Sequence, residues 1–435
     1  MSAPPAVAPA RKPDLATEAI AGITTFFTMA YIVVVNPSIL STSGTGISFS
    51  GALTATVLVC FTLTMLMGLY ARLPFAVAPG MGVNGFFTFN LILSRGIPWQ
   101  VALGMVFWAG VLFLLLSATP VREAIVKSIP VSLRSATAVG IGVFLTFIGL
   151  RNTGLVAADP VTLVRLGVLD HRALLMVLGM AVTLWFSERR NPLAFLAGIL
   201  SVTLVALAAG MVTVPPHLFS APDFQSVFLK LDIWGALRLA LVPAIVSLMF
   251  TDLFDSLSTF LGVAQASNML DEHGNPKNLK QGLIVDALAT LFAGLFGTSS
   301  GTAYIESAAG ISAGGRTGLT SVVTALCFLP CFFVAPLAGM VPAYATAPVL
   351  ILTGAAMFKS VGAIDFARLE DGLPAFLTIV LIPLTFSITQ GILWGFISHV
   401  GLYCLVGRRR DVHPILYALA AISVGLLVLE HSPLS

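Results

Sequence analysis

Fourteen apolar stretches, most of them near 20 residues long, follow one another along this chain with almost no charge inside them. About 20 mostly apolar residues wound as a helix cross the hydrocarbon core of a bilayer. The stretches cover 19–35, 51–70, 75–93, 99–118, 133–150, 173–187 and 192–213, then 240–264, 282–297, 301–313, 319–341, 347–361, 374–388 and 391–406. A last run, 415–429, is short and fits either a span or an interfacial helix. Asp, Glu, Lys and Arg make up 9% of the 435 residues and apolar residues 57%, where a soluble domain carries roughly 25% charge. A surface built this way faces lipid. That excludes a cytosolic enzyme, a disordered chain and a nucleic-acid binder, and the net charge of +3 is too small to call for a polyanionic partner.

Placing the N-terminus in the cytoplasm and alternating sides puts 16 Lys and Arg residues inside and 6 outside, the bias that membrane topology follows. Arg11, Lys12, Arg122, Lys127, Lys277 and Arg408 belong to the inside set. A multi-pass protein of the cell inner membrane is expected. Residues 1–18 read as a cytoplasmic tail without a cleaved signal peptide, since no apolar core with a small-residue cleavage site precedes the first span. Cys60, Cys327, Cys331, Cys404 and six scattered histidines form no ligand cluster, so neither a metal nor another cofactor is expected. His399 reads as a packed neutral side chain.

The two sets of seven echo each other. Ala136-Thr137-Ala138 opens the fifth span and Ala345-Thr346-Ala347 the twelfth; Phe27-Thr28 lies in the first and Phe250-Thr251 in the eighth. A seven-span unit repeated once must be inserted upside down the second time, as in inverted-repeat transporters. The third and tenth spans are both interrupted by small residues, at Ala78–Gly85 and Gly297–Thr302. Interruptions at matching places in two halves mark a midplane binding site, because freed backbone groups are tolerated only where they line a cavity.

Four acids fall within spans: Asp252, Asp255, Asp286 and Glu306. No Lys or Arg lies deep in any span, and an intramembrane acid is a functional candidate by default. Glu306 follows the tenth-span break. Asp252 and Asp255 are three apart and are expected on one face of the eighth helix. Asp286, near the cytoplasmic end of the ninth span, reads as a helix cap. Asn84, in the third-span break, is a neutral amide that both donates and accepts.

At these residues the chain resembles the purine (adenine/guanine/hypoxanthine) permease branch of the nucleobase-cation symporter-2 family. The matching stretches are Gly22–Ile32 with Asn36-Pro37, Ala78–Asn84, Asp252–Asp255 and Tyr304–Leu319, and the likeness runs from about Thr17 to Arg410. Gly85 stands where Ala is commoner, Gly301 and Ala303 replace hydroxyl residues, and Gln390 replaces a frequent acid; the first three are expected to change pocket size. The resemblance implies an all-α fold of 14 segments as a 7+7 inverted repeat, with short strands in the broken third and tenth spans. It implies a core domain of 19–118 and 240–341 and a gate domain of 119–213 and 342–406, flanked by the tails 1–18 and 407–435. It also implies proton symport, with the proton as coupling ion, and a homodimer. Asn84, Asp252 and Glu306 match the family's substrate positions, and Asp255 one linked to purine recognition. Phe27 and Thr28 are placed with them as substrate contacts, and Asp252 and Glu306 as proton-coupling candidates.

The residue chemistry suits a purine independently. A carboxylate accepts paired N–H bonds from the edge of a base, and Phe26, Phe27, Tyr31, Phe86 or Phe250 supply aromatic faces for stacking. Alternatives stay open: another nucleobase such as uracil or xanthine, or sodium coupling, since carboxylates also bind cations. An intramembrane aspartyl hydrolase would need acids on two facing helices, typically with a Gly-x-Gly-Asp signature, which this sequence lacks. An inorganic-anion carrier would present basic residues or bare helix N-termini at the midplane, not unpaired carboxylates.

Overall fold

Within residues 14–119, 128–266 and 278–430, which the computed structural model describes, most of the fourteen apolar stretches form a single helix or a strand–helix unit. Arg11, Lys12, Arg122, Lys127, Lys277 and most of the N-terminal tail lie outside those residues. Eight described helices are long and apolar enough to cross a membrane, among them Leu15–Leu40, Phe49–Ala71, Trp99–Ala118 and Val131–Asn152. The 415–429 run is the helix Pro414–Glu430 of 17 residues.

Boundaries follow local chemistry. Asp170 caps the helix His171–Glu188 by accepting from the N–H groups of Arg172 and Ala173, and Ser48 caps Phe49–Leu66 through Gly51, each supplying an acceptor to an orphan donor. The first span continues past 35 to Leu40, with a turn at Ala30–Tyr31 between its two helices. The stretch 319–341 is not one helix. It breaks around Pro330 and Pro336 into Gly318–Phe328, Leu329–Phe333 and Ala335–Gly339, because proline cannot donate to the preceding turn.

The third and tenth spans are built as the inverted repeat requires. Strand β1 (Val77–Pro79) leads into the helix Met81–Gly85, whose continuation Phe86–Ser94 adopts the wider i→i+5 winding. Strands β2 (Val156–Asp159) and β3 (Leu163–Leu166) form a separate hairpin after the fifth span. Strand β4 (Gly301–Ala303) precedes the two-turn helix Ser307–Ser312. β1 and β4 pair antiparallel, with Val77 opposite Ala303 and Pro79 opposite Gly301.

A two-stranded ribbon leaves both outer edges unpaired, and in a bilayer interior each unpaired group is costly. Side chains close these edges. The Thr64 hydroxyl accepts from the Val77 N–H at 2.9 Å and donates to the Val77 carbonyl at 3.0 Å. At the end of the ribbon, past the last strand pair, Ser307 accepts from the Ala76 N–H at 3.0 Å. On the β4 edge, Asp286 Oδ1 accepts from the Ala303 N–H at 2.7 Å, and the Thr290 hydroxyl donates to the Gly301 carbonyl at 3.0 Å. Thr64, Asp286, Thr290 and Ser307 are fully buried. Asp286 is therefore not the interfacial helix cap expected from sequence.

The helix Ala343–Phe358 packs along Val131–Asn152, and Leu369–Leu384 lies against both Val131–Asn152 and Ile388–Leu405. A Cβ on Gly142 would stand 2.6 Å from the Gly354 carbonyl oxygen, so the first of these contacts needs glycine, as close membrane helix pairs do. Separately, Trp99–Ala118 packs on Leu279–Phe296, and Leu15–Met29 on Gly318–Phe328. The long connection after Ala194–Ala208 is stapled to the ends of other spans. Asp232 N–H donates to the Gln100 carbonyl at 2.8 Å and Leu229 N–H to Leu295 at 2.9 Å. Asp223 accepts from the hydroxyls of Ser50 and Ser226 at 2.8 and 2.7 Å.

Two outcomes follow. Asp286→Ala leaves the Ala303 N–H unpaired and should lower stability in detergent by roughly 1–3 kcal/mol, while Asp286→Asn keeps an acceptor and should lose less; equal thermal melts for the two would contradict the edge-closing role. At Asp223, partial burial pushes the carboxyl up, but hydrogen bonds from Ser226 and Ser50 outweigh this and hold it below the ordinary aspartate range. A lowered folded-state value stabilises at pH above the unfolded value, near 4, and that stabilisation is lost as pH falls through the folded value. The melting-temperature gap between wild type and Asp223→Asn should thus be largest near neutrality and shrink below about pH 4.

Candidate functional site

The ends of β1 and β4 meet the first, fifth, eighth and twelfth spans around a partly open cavity of about 90 Å³. Its lining includes Tyr31, Met81–Val83, Thr302–Glu306, and Thr251, Asp255 and Thr259 of the helix Val242–Ala266. Ile141, Thr353 and Met357 close the opposite wall. The broken spans bring their backbones to the cavity because a strand, unlike a helix, leaves room for a neighbouring side chain or ligand beside the main chain.

Glu306 stands at the start of the helix Ser307–Ser312, and its Oε1 accepts the Tyr31 hydroxyl at 2.5 Å. Tyr304, on the same wall, donates its hydroxyl to the Pro79 carbonyl at 2.5 Å and so ties the end of β4 to β1. Asp255 has no hydrogen-bond partner among the described residues and faces the cavity. Two carboxylates and several hydroxyls thus converge on one space, with no Lys or Arg in its lining. A narrow side cleft shares Ile141, Thr251, Asp255 and Met357 with the cavity and reaches Arg134, whose Nε has no partner.

The remaining sequence candidates sit elsewhere. Asn84, on the helix Met81–Gly85, is fully buried outside the cavity lining and accepts the Ser299 hydroxyl. Asp252 is also buried outside the lining, accepting the Thr290 hydroxyl. Asp252 and Asp255 therefore do not share one face toward a ligand: a three-residue step still turns a helix by about 60°, enough to put one in the cavity and the other behind β4. Phe27 is 38% exposed and packs on Phe26, and the Thr28 hydroxyl turns back to the Thr24 carbonyl at 2.5 Å. Neither lines the cavity, because the turn at Ala30–Tyr31 re-aims the chain and presents Tyr31 instead. Phe250 stacks on Phe254, and Phe86 is buried. Of the three small residues expected to set pocket size, Ala303 lines the cavity; Gly85 packs on the fifth span and Gly301 on Ala289.

Residues that sequence reasoning missed lie on the far wall, at Ile141, Thr353 and Met357, on β4 at Thr302, and just after β4 at Tyr304. The far-wall residues carry no local signal, being ordinary side chains in ordinary helices. Tyr304 carried one: a lone tyrosine between a small-residue break and an intramembrane acid.

Residues 16–393 match the Permease family, Xan_ur_permease. Adenine permease AdeP of Escherichia coli is 42% identical, with 95% of this chain and 92% of that one covered. Guanine/hypoxanthine permease PbuO of Bacillus subtilis is 37% identical, covering 93% and 95%. Among solved structures, the transmembrane domain of a cyanobacterium bicarbonate transporter, BicA, superimposes with a TM-score of 0.66 at 17% identity, over 88% of this chain and 98% of that one, a likeness of fold alone. With a fold of broken, inverted membrane spans and relatives of matching length, this chain belongs to the permease family and is a transporter rather than an enzyme.

Proposed function

We propose that the protein imports purine nucleobases (adenine, guanine or hypoxanthine) across the cell inner membrane by proton symport. The carrying observation is the cavity in which Glu306 and Asp255 face one another's space without a basic residue in the lining. A purine presents N–H donors along its edge, and a carboxylate is their strongest neutral-pH acceptor. Relatives named for adenine and for guanine and hypoxanthine, at 42% and 37% identity, favour these three bases over uracil or xanthine. An anion would find carboxylates where it needs positive charge.

Two ionised carboxylates in one low-dielectric space repel, and a proton relieves that repulsion. Glu306, which meets the base, and Asp252, which supports β4 through Thr290, are the candidate proton carriers; Asn84 holds the loop before β4 through Ser299. The core, 19–118 and 240–341, moves against the gate, 119–213 and 342–406. The separate packing of Trp99–Ala118 on Leu279–Phe296 and of Ala343–Phe358 on Val131–Asn152 supports that division. The N-terminus lies in the cytoplasm and the working unit is a homodimer.

Proteoliposomes with an inward proton gradient should accumulate at least one of these purines, lose uptake with a protonophore, and be indifferent to replacing sodium by choline. Dependence on sodium would replace the coupling ion and keep the permease; no accumulation of any purine would remove the substrate class. Glu306→Gln exchanges an acceptor for a donor toward the base and should weaken purine binding at least tenfold, the equivalent of roughly 1.5–3 kcal/mol for one charge-assisted hydrogen bond. Thr28→Ala, away from the cavity, should stay within about twofold, because its hydroxyl only returns to its own helix. Calorimetry on purified variants compares the two, and the reverse order would put the site elsewhere.

A further inference from the structure

The third and fifth spans meet in a ladder of contacts. Beside the main cavity, a Cβ on Gly82 would stand 2.4 Å from Ile141. One turn on, a Cβ on Gly85 would stand 2.7 Å from Ile148 and 3.0 Å from Phe144, and both of those side chains are fully buried. Past this seal the spans part, and a second cavity of about 420 Å³ opens. Phe89, Phe147, Arg151 and Phe386 line it, and the β2–β3 hairpin covers it through Val156–Ala158, Leu163 and Val164. Ile141, Phe144, Ile148 and Arg151 recur at steps of three, four and three, so one helix face carries the main cavity, the seal and the second cavity in turn.

We propose that this second cavity is a purine-binding subsite, in which an incoming base is held before the central site opens to it. The inference rests on the purine-import reading, with the hairpin on the outer side. Its chemistry fits a flat base with an acceptor on its edge. Phe386 meets Phe144 and Phe147 edge-on, with ring centroids 5.1 and 5.4 Å away, so one aromatic belongs to both seal and subsite. The Arg151 guanidinium lies 5.6 Å from the Phe89 centroid and offers N–H donors to N7, an acceptor that adenine and guanine share and that pyrimidines lack. Backbone strain gathers here as well. Phe386 at φ +52° and Leu163 at φ +67° hold left-handed conformations that side-chain-bearing residues seldom adopt, and such strain clusters at ligand clamps and switch regions.

Equilibrium dialysis of the full-length protein in detergent, with whichever of labelled adenine or hypoxanthine the wild type transports, tests this. Two sites per chain are expected, one tight and one weak. Arg151→Gln should weaken the weak site about tenfold, the loss expected for a hydrogen bond from a charged donor, and leave the tight one within twofold. Glu306→Gln should do the opposite. Photolabelling with 8-azidoadenine should mark the stretch 145–166 in wild type, fade in Arg151→Gln, and recover in part in Arg151→Lys, which checks folding. A single site in wild type, or parallel loss of both sites in Arg151→Gln, overturns the subsite and leaves the central site standing. A wild type that neither binds nor moves any purine overturns the functional reading and the subsite together.

Discussion

An isolated pair of strands inside a bilayer is the constraint on which the rest of this molecule depends. Strands satisfy only half of their backbone groups in a two-stranded ribbon, and lipid offers nothing to the other half. Thr64, Asp286, Thr290 and Ser307 take the place of the missing neighbours. They come from the second, ninth and tenth spans, so those helices are fixed around the ribbon by the ribbon's own hydrogen-bond demand. With the edges closed by side chains, the strand ends are left free to meet a cavity.

The same arrangement sorts the intramembrane acids by task. Asp286 and Asp252 lie behind β4, each engaged by a hydroxyl, while Glu306 and Asp255 face open space. Tyr31 reaches Glu306 from the first span and orients the acid at the cavity, while Tyr304 reaches Pro79 across the ribbon and ties the two strands together. Packing around a glycine ladder, at Gly82 and Gly85, lets the third span lie directly against the fifth.

Fold and function separate here. A bicarbonate transporter's transmembrane domain shares the architecture at 17% identity, while the cavity of this chain presents carboxylates and hydroxyls. The scaffold supplies the broken spans, and what a transporter of this architecture carries has to be argued from the side chains at its cavity.

The sequence by itself determined the order of the apolar stretches, the two interruptions, and the four acids read within those stretches, because lipid imposes hydropathy and charge rules that act on local stretches. Glu306 beside a backbone break was legible for that reason. Tertiary structure alone decided which side of a helix each acid faces and what stands opposite. Asp286 looked like a cap and proved to hold a strand edge; Phe27 and Thr28 stand outside the cavity lining, which Tyr31 enters across a turn; Ile141, Thr353 and Met357 entered the cavity from helices with no distinguishing pattern. A rotation of about 60° between residues three apart, or a two-residue turn, moves a side chain from ligand to support, and neither is set by the composition of the stretch that contains it.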